Sequence, residues 1–370
     1  MRIGIDARSL SEITSGPSRV ISLLIENFLQ HDDTNEYIIF INEHYKYTTI
    51  SRESYQTVRY SRNNLFHDFF FSRYLHNYQL DILLSPHNWT LGFKTPNSTN
   101  VTIIHDLFHL LDKKHFQKYG ILTTAVRLYF KLYSFLTIRN SDLLVTVSNH
   151  SKSTIANYYH ERDLNIIVSL NAPGIEPGLL DQLSPSEKVH TPSEYLLYVG
   201  NFRNYKNVDT LLLGYHHFLT KYPTSQLKLI IVSNDNPSLI VDLCDQLQIT
   251  DKVIVLQNIN DIQLASLYNN AKIFIFPSRF EGFGIPVLEA AMFKTPIIIS
   301  DAEALVEITD GTALIFNQSS HLELSVRIHE LLSNPSLAKS LVDAAYVNAQ
   351  KFSWRKSAID FIEELNNHLT

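Results

Sequence analysis

Between Ile273 and Ser300 the chain reads IFIFPSRFEGFGIPVLEAAMFKTPIIIS: two short apolar runs separated by a loop and a helical pattern. Ile273–Phe276 holds no polar residue, so it reads as a strand buried on both faces, the habit of parallel sheets. Pro286 suits the first turn of a helix, because proline lacks only a donor which that turn leaves unpaired. Thr295-Pro296 stops the helix, and Pro296–Ile299 reads as the next strand. The stretch is therefore a βαβ unit. Its loop, with Gly282 and Gly284, falls at the carboxyl end of the first strand, where open α/β sheets hold ligands.

That loop combines two chemistries. Glycines let backbone N–H groups approach a ligand, and the following helix start carries partial positive charge, which suits phosphate. Glu281 and Glu289 bracket the loop. Carboxylates repel phosphate but accept hydrogen bonds from hydroxyls. Amides for phosphate beside acids for hydroxyls suit a nucleotide sugar.

The same alternation runs along the chain. Arg2–Asp6, Tyr37–Ile41, Thr57–Tyr60, Asp81–Leu84, Val101–Ile104 and Leu143–Val147 read as strands, with a helix over Ser18–Leu29 and helical patterns between the others. Tyr195–Val199, Lys228–Val232, Val253–Leu256 and Ala313–Phe316 supply a second set. This predicts an α/β protein with parallel sheets covered on both faces. Its 370 residues suit two domains, and Ser184–Ser193 reads as a linker. Gly200 follows a strand and Lys206 stands at the next helix start, a second anion site by charge and geometry. His105-Asp106 directly follows another strand. Such a pair can mark a metal-dependent phosphohydrolase, but further ligands at recognisable spacing do not accompany it, and Asp106 suits a turn cap. Ser353 suits the N-cap of a last helix.

PSRFEGFGIPVLEA resembles the E-x7-E signature of the retaining glycosyltransferases of family four, in spacing and in the flanking Pro-Ser, Gly-Phe-Gly, Pro and Leu-Glu-Ala. The resemblance implies the GT-B fold: two Rossmann-like domains facing across a cleft, over 1–175 and 176–352, with a helix over 353–370 returning to the first domain. It implies that Gly282, Phe283, Gly284 and Ile285 meet the diphosphate or sugar, that Glu281 binds sugar hydroxyls and that Glu289 binds the ribose. Lys206 is implied to contact the donor diphosphate, helped by Gly16 of the Thr14–Arg19 turn. His105 is implied to orient the reacting sugar. Many members carry an arginine where Asn201 stands; Arg203 is the candidate to replace it. The residues given a part in the reaction are thus His105, Glu281 and Lys206. The leaving phosphate itself is implied to take the acceptor's proton, with no bound metal and no cofactor. The opening IGIDAR is similar to bacterial mannosyl- and rhamnosyltransferases of surface polysaccharide synthesis, so GDP-mannose is the first choice of donor, with a saccharide or lipid-linked acceptor.

Composition sets the partners. A net charge of −6 argues against nucleic acid. Cys244 is alone, which suits a reducing compartment and a small apolar core residue. The start MRIGIDARSL is interrupted too early by charge for a secretory signal, and no apolar run is long enough to span a membrane, so Asn88-Trp89-Thr90 reads as a chance sequon and the protein as cytoplasmic. Residues 113–139 are basic and aromatic, with Arg127 and Lys131 on one helix face and Leu128, Leu132 and Phe135 on another. This segment suits either peripheral contact with an anionic membrane on its inner face or a core-facing helix with a solvated charged side.

Two other functions fit a chain of this kind. One is a GT-B nucleotide-sugar epimerase, which forms product from donor alone. The other is a two-lobed binding protein without chemistry. Turnover of the donor separates both from a transferase.

Overall fold

Strands alternate with helices over most of the described residues, and the computed structural model pairs the strands into two sheets that are parallel throughout. It describes residues 1–8, 10, 16–42, 55–60, 67–86, 94–95, 97–111, 120, 123–160, 164–184 and 189–369. Thr14 and Ser15, the sequon at Asn88, and Lys113, Lys114, Phe116, Lys118 and Tyr119 lie outside the described residues. Two compact units result, Met1–Asn171 with Ser353–Thr370, and Ala172–Phe352.

The first unit contains β1 (Arg2–Ala7), α1 (Gly16–His31), β2 (Glu36–Ile41), β3 (Tyr55–Arg59), α2 (His67–Leu75), β4 (Ile82–Ser85), β5 (Thr99–Ile104), α3 (Phe108–Leu111), α4 (Thr123–Asn140), β6 (Leu143–Thr146), α5 (Asn149–Tyr159) and β7 (Ile166–Val168). Its strand order is β3-β2-β1-β4-β5-β6-β7. The short strand β7 was not expected; three residues give a period argument nothing to work on. At the end of β1, Arg8 holds buried Asp6 through two bonds of 2.8 Å and lies 3.5 Å from the centre of the Phe71 ring. The charge in IGIDAR is therefore internal, paid for by pairing and stacking.

The second unit contains β8 (Tyr195–Val199), α6 (Val208–Lys221), β9 (Lys228–Val232), α7 (Ser238–Gln246), β10 (Val253–Leu256), α8 (Asp261–Asn270), β11 (Ile273–Phe276), α9 (Ile285–Met292), β12 (Ile297–Ser300), α10 (Glu303–Thr309), β13 (Leu314–Phe316), α11 (His321–Ser333) and α12 (Pro335–Ala349). Its order is β10-β9-β8-β11-β12-β13. The run Ile273–Phe276 is buried at all four positions, which is why its sequence does not alternate. In this order the connections reverse direction between β8 and β11. The loops leaving those two strands flank the switch point, the place where a doubly wound sheet leaves a crevice.

The last helix, α13 (Trp354–Leu369), belongs to the first unit. Ser353 Oγ accepts from Lys356 N at 3.3 Å, the expected N-cap geometry. Phe361 stacks on Phe28 of α1 at 5.3 Å, and Ser357 Oγ donates to Leu170 O at 2.5 Å. Burying Phe361 contributes about 2–3 kcal/mol to this docking. No helix among the described residues is long and apolar enough to cross a membrane.

Candidate functional site

The two loops at the second unit's switch point carry the residues of interest. After β8 the chain runs through Gly200 and Asn201 to a single 3-10 turn at Asn204–Lys206. After β11 it runs through Pro277 and Arg279 to Glu281 and on to α9. Lys206 Nζ lies 2.6 Å from Glu281 Oε1, with the side chains 13% and 12% exposed. The ammonium also lies 5.1 Å from the centre of the Phe276 ring and 5.3 Å from that of Tyr205. A cation and an anion so little hydrated are held at the mouth of the crevice, each able to exchange its partner for a ligand group of the same sign.

Residues around that pair tie the loops together. Asn207 Nδ2 donates to Pro277 O at 2.9 Å and to Gln318 O at 2.8 Å. Arg279 N donates to Tyr205 O at 2.7 Å, and its guanidinium reaches Asn204 Oδ1 at 3.2 Å and Asp209 at 3.0 Å. Asn201 Oδ1 accepts from Arg203 N at 3.2 Å, closing its own turn, while the Arg203 side chain is exposed. Tyr198 donates to Asn201 O at 2.8 Å from a fully buried phenol, and burial pushes its pKa up, with Glu281 and other negative neighbours adding to the rise.

Gly284 introduces α9 with φ +119°, a backbone region closed to most side chains, and a Cβ there would lie 2.6 Å from Leu305 of α10. Ile285 opens the helix, so its own N–H has no partner within the helix, whereas Pro286 has none to offer and Val287 N donates to Gly284 O at 2.9 Å. Phe283 is buried and packs edge-on against Phe352 at 5.8 Å. What Phe283 can offer a ligand is its backbone, not its ring. Glu289 is 5% exposed. Its Oε2 accepts from Tyr268 Oη at 2.9 Å and its Oε1 from Gly174 N at 3.2 Å. The carboxylate has spare acceptor capacity, but it is also a brace between α8, α9 and the segment that opens the second unit at Ala172.

In the first unit, Gly16 opens α1. His105 follows β5 with its Nε2 3.3 Å from Pro86 O. Burial holds its imidazole below the ordinary 6.5, although the bond to Pro86 favours the protonated form. A neutral ring that donates from Nε2 accepts at Nδ1. Asp106 Oδ1 accepts from Phe108 N at 3.0 Å and so caps the turn into α3. Of the two orientations open to α4, the one that buries the Leu128, Leu132 and Phe135 stripe in the core is not the one adopted. Leu128 (67%), Leu132 (57%) and Phe135 (42%) are exposed, together with Tyr129 and Lys131, whereas Ser134, Thr137 and Ile138 are buried and Arg127 is half-buried. The wet face of this helix is apolar and basic.

Comparison with known proteins bears on this geometry. Residues 181–348, which contain both loops, match the family described as glycosyl transferases group 1. Over that segment the chain is similar to group 1 glycosyltransferases. Over 184 residues the chain is 30% identical to an uncharacterized glycosyltransferase of Methanocaldococcus jannaschii, covering 47% of this chain and 46% of the relative. Over 193 residues it is 28% identical to the O-antigen chain mannosyltransferase RfbU of Salmonella typhimurium, covering 52% and 51%. The chain thus spans about half the length of these curated relatives. The fold is like that of sucrose-phosphate synthase from Thermosynechococcus elongatus, with a TM-score of 0.76 at 17% identity over 99% of this chain and 98% of that one. This likeness shows the fold, which is GT-B.

Within that segment the structure brings Lys206, Glu281 and the Gly282–Ile285 turn together and gives Glu289 partners of its own, Tyr268 on α8 and Gly174. Sequence reasoning passed over Asn207, Arg279 and Tyr268. Arg279 stands inside the signature string, and Asn207 is, after glycine, a residue type that tolerates a left-handed turn, φ 60° here. Tyr268 carried no local signal, since its partner is 21 residues away.

Proposed function

We propose that the protein is a retaining glycosyltransferase that moves a hexose from a nucleotide sugar, GDP-mannose first, to a saccharide or lipid-linked acceptor. The observation that carries this is the meeting of Lys206 and Glu281 at the switch point of the second sheet, 2.6 Å apart and nearly dry, beside the amides that lead into α9. Lys206, with the α9 amides, offsets the charge that grows on the leaving diphosphate, where electrostatic help lowers the barrier most. Arg203 is the second cation within the same turn. Glu281, once its ammonium turns to phosphate, accepts from sugar hydroxyls, and Glu289 accepts from the ribose. His105 stays neutral and orients the reacting sugar. The bond from the anomeric carbon to phosphate breaks, the bond to the acceptor oxygen forms on the same face, and the acceptor's proton goes to the leaving phosphate. No protein nucleophile and no metal enters this scheme.

The exposed Leu128, Leu132 and Phe135 favour a further element of the reading, contact with an anionic lipid surface. The chain is acidic overall, yet 113–139 has lysines and arginines and no acid, the complement of anionic headgroups over an apolar interior.

The test is a thermal-shift panel of GDP, UDP and dTDP sugars followed by turnover of the one that stabilises the protein, since a ligand that binds only the native state raises the melting temperature. Stabilisation by GDP-mannose with product formed only when acceptor is added supports the reading. Product from donor alone points to the epimerase, and binding without turnover points to the binding protein.

A further inference from the structure

Lys206 carries a charge at the end of a flexible stem, and an ion pair with Glu281 does not by itself decide where that stem is rooted. The backbone at its root is held by other side chains. Asn207, the next residue, is fully buried and adopts φ 60°, ψ 34°, turning the chain from the 3-10 turn into α6. Its amide uses both hydrogens, one on Pro277 O at 2.9 Å and one on Gln318 O at 2.8 Å, and its Oδ1 accepts from Thr210 Oγ1 at 2.7 Å. Pro277 directly follows β11 and Gln318 lies just beyond β13, so one side chain ties the start of α6 to the ends of two strands. From the facing loop, Arg279 N holds Tyr205 O at 2.7 Å and the guanidinium holds Asn204 O at 3.1 Å. Each residue of the turn Asn204–Lys206 is therefore fixed to, or next to a residue fixed to, the loop that bears Glu281.

A buried amide that makes all its bonds is costly to assemble and rigid once assembled. Asparagine answers two needs here: it accepts the left-handed backbone and it supplies two donors to two carbonyls that the apolar alternatives leave bare. We infer that Asn207, with Arg279, is a positioning residue that sets the Lys206 ammonium for the diphosphate of the donor. This rests on the donor-site reading above. An ammonium rooted about 1 Å off its place loses most of its value to a bound phosphate, because preorganisation is what makes such a contact strong.

The experiment compares the affinities of GDP and guanosine, UDP and uridine, and dTDP and thymidine by titration calorimetry. The ratio within a pair isolates what the diphosphate adds. Lys206→Ala is expected to collapse that ratio. Asn207→Gly keeps the left-handed backbone and removes the amide; it is expected to lower the ratio about tenfold, the size of one charge-assisted bond, while nucleoside affinity stays at wild type. In the Lys206→Ala background Asn207→Gly is expected to add nothing, since a residue acting through Lys206 has nothing left to position. Arg279→Gln is expected to act in the same direction and serves if Asn207→Gly does not fold. An unchanged ratio in both variants, a loss that adds fully to that of Lys206→Ala, or an equal loss of nucleoside affinity overturns the inference while the donor site stands. An unchanged ratio in Lys206→Ala overturns the donor-site reading, and the inference falls with it.

Discussion

The phenol of Tyr268 donates to Glu289 Oε2 at 2.9 Å, and both side chains are buried. The first partner comes from α8 and the second from α9, so one bond couples the helix of the E-x7-E signature to its neighbour. Tyr268→Phe leaves a buried carboxylate short of a donor at almost unchanged volume. The loss is expected to be about 1–3 kcal/mol, read as a lower urea midpoint at constant slope. A midpoint within error of wild type would show that Glu289 does not depend on this bond.

Lys206 and Glu281 each lose a nearly dry partner when the other is removed. Lys206→Ala and Glu281→Ala are each expected to abolish transfer while circular dichroism stays native. Each also destabilises the fold by about 1–3 kcal/mol, and the double variant less than their sum, because it strands no charge. Wild-type turnover in either single variant rules out the assigned role.

Gly284 and Gly178 make opposite forecasts. Gly284 has φ +119° and no room beside Leu305, whereas nothing lies within 4 Å of a Cβ at Gly178. Gly284→Ala is expected to cost more than about 1 kcal/mol and Gly178→Ala to change stability by less than about 0.5 kcal/mol. Chemical denaturation of both variants checks the contrast.

His105 makes the first unit acid-sensitive. Its folded pKa lies below the ordinary 6.5, so between those two values the unfolded chain binds more protons and stability rises with pH. The contribution is complete above pH 6.5 and is lost as the pH falls from there toward the folded value, at no more than about 1.4 kcal/mol per pH unit. His105→Gln is expected to lose less stability than wild type between pH 7 and pH 5, as measured by paired unfolding curves. Parallel curves would remove His105 as the cause.

The outward face of α4 predicts binding to vesicles. The protein is expected to co-sediment with anionic liposomes at low salt and to be released as salt rises. Leu132→Asp and Lys131→Glu, both at exposed positions, are each expected to weaken binding severalfold, and neutral vesicles to bind poorly. A failure to bind anionic vesicles at low salt ends this part of the reading.

Much of the fold was legible residue by residue. Tyr195–Val199, Lys228–Val232, Val253–Leu256 and Ile273–Phe276 are strands with the bounds the sequence suggests, and the buried core of the sheet, Ile273–Phe276 above all, is written as an uninterrupted apolar run. The orientation of α4 was not legible: an apolar stripe beside a basic one suits a core or a lipid surface equally, and only the burial of Ser134, Thr137 and Ile138 decides that the leucine stripe faces outward. The acids of the signature were legible as a pair, but not that Glu281 faces Lys206 while Glu289 braces Tyr268.

The sequence by itself determined the alternation of strands and helices, the glycine-bearing loop before α9 and the kinds of charge available to a ligand, since these depend on local period, backbone freedom and composition. Only the tertiary structure decided which charges meet. Lys206 and Glu281 are 75 residues apart, Asn207 and Gln318 are 111 apart, and it is the strand order β8-β11-β12-β13 that brings their loops to one edge of the sheet. That order is a property of how buried strands pair across the whole unit, and no window of neighbouring residues encodes it.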